Sequence, residues 1–220
     1  PMKILLLGAT GDVGRATLDQ AVQRGHVITA VARRPDALVA GAPNQIKQVA
    51  LDVLEMQEDL ADLARNHDVI ISALRPIEGQ EPLLVPMTRA ALGAASAADI
   101  PILVTGGAAL LKLADGSGHT VLSAPDFLPD SVRPIAEACA AQDALLDTRP
   151  DVAWTCLRPP AMLHDGPRKG RYTWGLDTLV IDSKGQSEIS FADFGSALID
   201  LAEQSSRPNR RLTVAWGMAA

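Results

Sequence analysis

The sequence predicts one α/β domain built on a doubly wound, mostly parallel sheet, and three observations predict it. Short apolar runs rich in Val, Ile and Leu recur along the chain: "KILLL", "VITAV", "IKQVAL", "VIISAL", "PILVTG", "VAWTCL" and "RLTVAW". Runs of this kind suit strands buried on both faces, as a parallel sheet requires. Segments of helical periodicity separate them, so the order reads βαβα with right-handed crossovers. Finally, the 220 residues are 47% hydrophobic and 21% charged with no sharp compositional shift, which fits one well-buried domain and excludes disordered, collagenous and coiled-coil classes.

Each element has its own reason. "KILLL" is the first strand, and "DVGRATLDQAVQRG" follows as a helix with Val13, Thr17, Ala21 and Val22 on one side and Gly25 as its C-cap. "VITAV" and "IKQVAL" are the second and third strands, with Asp36 between them capping a turn. After "VIISAL", the Ala-rich "EPLLVPMTRAALGAASAAD" is helical beyond its prolines. "RPIAEACAAQDALLD" places Pro134 in its first turn, where the missing N–H costs nothing. The strand "VAWTCL" must stop at Pro159 and Pro160, which cannot donate to a ladder, leaving backbone exposed at "RPPAM", Arg158 to Met162.

Beyond that point "HDGPRKGRYTWG" and "TLVIDSKGQSEI" predict a loop and a short two-strand excursion, about residues 158–190, over the carboxyl edge of the sheet. In "SFADFGSALIDLAEQ", Ser190 and Asp193 form a capping-box pattern before an apolar periodic helix, and "RLTVAW" closes the sheet.

Charge and composition narrow the function classes. Lys and Arg total 20 against 26 Asp and Glu, a net charge of -6, and the cations are scattered, so nucleic acid is not an expected partner. The run in "MKILLLGATG" is too short for a secretory core, and no apolar stretch approaches the roughly 20 residues that cross a bilayer, so a cytoplasmic protein with no membrane partner is expected. Met2 is the expected natural start, after Pro1. Cys139 and Cys156 show no CxxC spacing and read as reduced core residues; His26, His67 and His119 lie in connecting segments without partner spacing, so no metal site is expected.

The chemistry concentrates in "GATGDVG". Gly8, Gly11 and Gly14 follow the first strand and open a helix, the context a dinucleotide-binding turn demands. The first glycine permits the tight turn, the second the approach of backbone to a pyrophosphate, and the third close packing of helix on strand. The cofactor-binding set therefore begins with Gly8, Ala9, Thr10, Gly11, Asp12, Val13 and Gly14.

At the exit of the second strand, "ARRPD" offers Arg33 and Arg34 where an NAD site would carry an acid. A guanidinium binds a 2'-phosphate through paired hydrogen bonds, so NADP(H) is preferred and NAD(H) remains the alternative. Asp52, followed by Val53, either faces the adenine ring or caps the next helix. Ser72, Ala73 and Leu74 end the fourth strand beside the cofactor's central part, and Thr105, Gly106 and Pro159 border its nicotinamide end.

These residues resemble a known family. "KILLLGATGDVGR", "AVARRP", "LDVLE", "VIISAL", "LVTGGAALL", "TCLRPPAML", "GRYTWG" and "ISFADFGSALID" are similar to atypical short-chain dehydrogenase/reductases with a GxxGxxG turn. More narrowly they resemble its NAD(P)H-binding, NADH-flavin reductase-like branch, which is similar to flavin/biliverdin reductase and NmrA-like proteins. The resemblance covers nearly the whole chain and implies a Rossmann fold and an oxidoreductase. Where the branch often reads GGAGSL, this chain reads "GGAALL", with Ala109 and Leu110 in place of the glycine and serine.

Classical members move a proton with a Tyr-x-x-x-Lys pair. Here the one tyrosine, Tyr172, is followed four residues later by Leu176. General acid–base help is worth about 10²- to 10⁴-fold, which reduction of an unactivated ketone requires. A flavin or quinone accepts hydride and takes its proton from solvent, so the expectation is transfer from NADPH to such a small-molecule acceptor. Candidate catalytic residues are Thr105, His164 and Tyr172, with Trp174 as a stacking surface or as apolar cover, and Arg75 meets a phosphate, an acidic substrate or solvent. The alternative is a non-catalytic redox sensor of the NmrA-like kind, which uses the same glycine turn and equally lacks the pair.

Overall fold

Strand β1 (Lys3–Leu7) shows the layering in one line: Ile4 and Leu6 pack into one core cluster, Leu5 and Leu7 into another, and all four are buried. The first cluster lies under α1 (Asp12–Gln23) and α5 (Phe191–Glu203). The second lies under α2 (Gln57–Ala64), α3 (Leu84–Ala98) and α4 (Arg133–Asp147). A computed structural model describes residues 1–34, 44–204 and 210–217 of this three-layer α/β fold; Asp36 lies outside them.

The main sheet has eight strands in the order β3-β2-β1-β4-β5-β6-β10-β8. These are β2 (Val27–Ala32), β3 (Ile46–Ala50), β4 (Val69–Ser72), β5 (Ile102–Thr105), β6 (Trp154–Arg158), β8 (Thr173–Gly175) and β10 (Arg210–Ala215) beside β1. All pairs are parallel except β8 on β10, where Thr213, Val214 and Ala215 face Gly175, Trp174 and Thr173. The order reverses between β1 and β4, so the switch-point crevice opens above their carboxyl ends.

Three sequence expectations change in the structure. β3 is an edge strand with Lys47 and Gln48 exposed, not one buried on both faces. α3 begins at Leu84, ahead of Pro86, because a proline in the first turn removes an N–H that has no intrahelical partner anyway. The excursion divides: β7 (Met162–His164) pairs parallel with β9 (Glu188–Ser190), while β8 extends the main sheet.

The glycine cap of α1 follows the sequence reading, with Gly25 at φ +81° and its N–H on the Val22 carbonyl at 3.0 Å. Gly195 brings α5 against α1, since a Cβ there would lie 2.7 Å from the Thr17 nitrogen. Ser190 caps α5 by accepting from the Asp193 amide at 3.1 Å.

Candidate active site

The glycines of the first turn serve different masters. Gly8 has φ +76°, and a Cβ on it would lie 2.4 Å from the Ala73 carbonyl oxygen; one on Gly14 would lie 2.0 Å from the Gly8 oxygen. The protein itself fills both spaces. At Gly11 a Cβ would meet only the Gly8 oxygen, at 3.7 Å, and φ is -75°, so the fold does not require a glycine there. Gly11 also lines the cavity that opens at the crevice.

Amides of the turn divide in the same way. Gly8 and Ala9 both donate to the Val31 carbonyl at 3.2 Å, and Gly11 donates to the Gly8 carbonyl at 3.3 Å. No side chain caps α1, which leaves the Asp12, Val13 and Gly14 amides as the helix's open donors. An uncapped helix start with a vacant glycine Cβ position suits a pyrophosphate, whose charge the helix dipole favours. This set of residues fits a dinucleotide.

A cavity of about 470 Å³ begins at Gly11, Asp12 and Val13 and runs past Ala73, Leu74 and Arg75 to Thr105 and Gly106. Pro159, Pro160, Ala161, Leu163 and Phe191 form one side, and its volume is in the range of small-molecule sites. Thr105 lines it with an Oγ1 that is buried and has no hydrogen-bond partner among the described residues. Such an orphaned hydroxyl is ready to meet a bound polar group.

Gly11, Asp12, Val13, Ala73, Leu74, Thr105, Gly106 and Pro159 are thus brought together in one wall. Arg33, Arg34, Asp52 and Val53 lie beyond it at the ends of β2 and β3, on the other side of the switch point. Both arginines are exposed. Asp52 Oδ1 accepts from the Leu54 amide at 2.9 Å, capping the turn before α2, and Val53 is buried in the core. Ser72 is buried at the end of β4, and Thr10 accepts the Arg15 Nε–H on its carbonyl at 2.8 Å.

Two catalytic candidates and one border residue stand outside the wall. Tyr172 packs against the α1/α5 core with its hydroxyl donating to Asp200 and 3.3 Å from Ser196 Oγ; burial and that carboxylate push its pKa up to about 12. His164 points its Nδ1 at the Asp165 carbonyl at 2.8 Å and sets its Nε2 3.4 Å from Glu188, edge-on to Trp216. Arg158 is buried and pairs with Asp143 at 2.6 Å, a carboxylate it shares with Arg211. Trp174 stacks edge-to-face on Tyr172 as apolar cover.

The far wall was not legible in advance. Val121, Leu128 and Val132 come from the long connection after β5, Ile135, Ala136 and Cys139 from the first turns of α4, and Leu84 from α3. The spacing of Ile135, Ala136 and Cys139 marks one helical face, but an apolar face turned to a ligand reads like one turned to a core. Cys139, expected in the core, lines the cavity against Gly107, where a Cβ would lie 2.5 Å from its sulfur. Burial raises its thiol pKa, opposed by Arg75, so it is a neutral thiol and not an activated nucleophile. Cys156 is fully buried, its pKa pushed up to about 12.

Among the described residues, no helix is long and apolar enough to cross a membrane.

Comparison with known proteins gives the same picture. A family model described as NAD(P)H-binding matches residues 8–205. The uncharacterized protein YwnB of Bacillus subtilis (strain 168) is 31% identical over 97% of this chain and 98% of its own length. Among solved structures, a "putative epimerase" from Bacteroides thetaiotaomicron superposes with a TM-score of 0.88 at 28% identity, covering 100% of this chain and 99% of that one. A "putative NADH-flavin reductase" from Streptococcus pneumoniae TIGR4 superposes with a TM-score of 0.84 at 27% identity, covering 98% and 100%.

Proposed function

The chain belongs to the NAD(P)H-binding family, and from that premise we propose that it transfers hydride from NADPH to a flavin, quinone or similar conjugated acceptor, with no side chain supplying the accompanying proton. One observation carries this reading: among the described residues, the wall of the cavity that starts at the open end of α1 holds no Tyr, Lys or His that could act as an acid–base pair. Its described polar groups are one carboxylate, Asp12, at the glycine turn, one cation, Arg75, one hydroxyl, Thr105, and the thiol of Cys139. The tyrosine is engaged with Asp200 elsewhere. A relative carrying the name "putative NADH-flavin reductase" supports the same acceptor class.

The division of labour follows from placement. The Asp12, Val13 and Gly14 amides would hold the pyrophosphate, and Arg33 and Arg34 the 2'-phosphate. Asp52 and Val53 stand on the adenine side, Ser72 to Leu74 along the middle, and Thr105, Gly106 and Pro159 at the nicotinamide end. When bound, the nicotinamide supplies the hydride. The chain's own contribution is positioning: Pro160, Leu163 and Phe191 exclude water from one side, and the Thr105 hydroxyl orients a polar edge. An isoalloxazine or quinone needs no more, because its proton comes from solvent.

The test is to mix the purified protein with NADPH and free flavins or naphthoquinones and follow the nicotinamide absorbance. Acceptor-dependent consumption is expected. No turnover with any of them overturns the reading, and unequal calorimetric affinity for the oxidised and reduced cofactor without consumption identifies a redox sensor instead.

A further inference from the structure

The charges in the cavity wall are unevenly placed. Asp12 stands at the glycine turn, and Arg75, leaving β4, is the one cation among the described residues of the wall. None of the ion pairs among the described residues includes Arg75.

Arg75 follows directly on the Ala73–Leu74 segment that packs against Gly8 of the turn. The neighbouring Leu74 packs on the α2/α3/α4 core, and Arg75 acts electrostatically on Cys139 of α4. At the open end of α1, the side chain of Val13 packs with the α1/α5 core. A pyrophosphate at the open amides there is served by α1, while Arg75, exposed at the mouth, lines the same cavity as the apolar Leu128, Val132 and Ile135. A lone guanidinium at the edge of an apolar cavity recognises an oxyanion attached to an apolar body.

Building on the hydride-transfer reading above, we infer that Arg75 is a specificity residue: it selects acceptors in which a flat apolar ring system carries an oxyanion side arm, a phosphate or a carboxylate. The ring lies against the α4 wall, and the arm reaches the guanidinium at the mouth, away from Asp12.

The probes are riboflavin, FMN and carboxymethylflavin, which share a ring and differ in the arm. Their binding to protein saturated with NADP+ is read by quenching of flavin fluorescence, and kcat/KM with NADPH is read separately. The anionic flavins are expected to bind about tenfold more tightly than riboflavin, with the advantage shrinking as salt rises. In Arg75→Gln the ratio falls to about one, and in Arg75→Lys part of it returns; the larger of the FMN and carboxymethylflavin ratios tells phosphate from carboxylate. Equal binding of all three by the wild type, binding of none, or a loss of NADP+ affinity in Arg75→Gln as large as the loss for FMN each overturns the inference. Arg75-dependent preference without NADPH consumption keeps it and removes the hydride-transfer reading, whereas consumption without preference does the reverse.

Discussion

The indole N–H of Trp216 donates to Asp193 Oδ2 at 2.7 Å, tying the residue after the last strand to the first turn of the last helix. The same carboxylate accepts the Lys169 and Gly170 amides at 3.0 and 3.1 Å and is fully buried. Lys169 Nζ then sits 3.8 Å over the Trp216 ring. Asp193 is thus the post to which the excursion is fastened. Asp193→Asn turns an N–H group toward N–H donors, so a loss of about 3 kcal/mol is expected, seen as a lower urea midpoint at an unchanged slope. An unchanged midpoint would show that these bonds add no net stability.

The two exposures of the glycine turn predict opposite failures. Gly14→Ala places a Cβ 2.0 Å from a carbonyl oxygen and should cost about 3 kcal/mol or more of stability. Gly11→Ala meets nothing closer than 3.7 Å, so stability should stay within about 0.5 kcal/mol while dinucleotide affinity falls about tenfold or more. Calorimetric titration beside thermal melts separates the two. Full dinucleotide affinity in Gly11→Ala would mean that no phosphate approaches that backbone.

Arg33 and Arg34 are exposed at the end of β2, on the β1 side of the switch point. Replacing both with Ala should weaken NADPH about tenfold or more and leave NADH within about twofold, because only the former offers a 2'-phosphate. Equal losses for the two nucleotides would show that neither guanidinium touches that phosphate.

Tyr172 is the single tyrosine, so phenolate absorbance reports it alone. Burial, and then the bond to Asp200, push its pKa up to about 12 in the folded protein from the ordinary phenol value of 10.0. A raised folded pKa means that the neutral hydroxyl's contribution is complete below pH 10 and is lost as the pH rises through about 12. Spectrophotometric titration should give a midpoint near 12 when folded and near 10 in denaturant, and Tyr172→Phe should flatten that part of the stability profile. A folded midpoint near 10 would place the hydroxyl in solvent.

Much of the fold follows from local pattern. Buried parallel strands leave continuous Val, Ile and Leu runs, and Gly25, Pro134 and Ser190 announce helix ends through backbone rules that act within a few residues. The near wall of the candidate site is legible for the same reason, since the strand-to-helix turn dictates Gly8 and Gly14 and thereby frames Gly11 between them. The far wall is not. Ile135 and Cys139 look like core, and only the connection after β5, folded over Leu111, Val121 and Leu179, leaves space in front of them.

By itself, the amino-acid sequence determined the βαβα order, the glycine-rich turn after β1 and the lack of a Tyr-x-x-x-Lys pair, because each depends on residues close together along the chain. Tertiary structure alone decided that Tyr172 faces Asp200, that β8 joins the main sheet, and that Arg75 lines a largely apolar cavity with no ion-pair partner among the described residues. Those outcomes depend on which distant groups meet in space, and hydrogen-bond partners and empty volume are properties of the packed molecule.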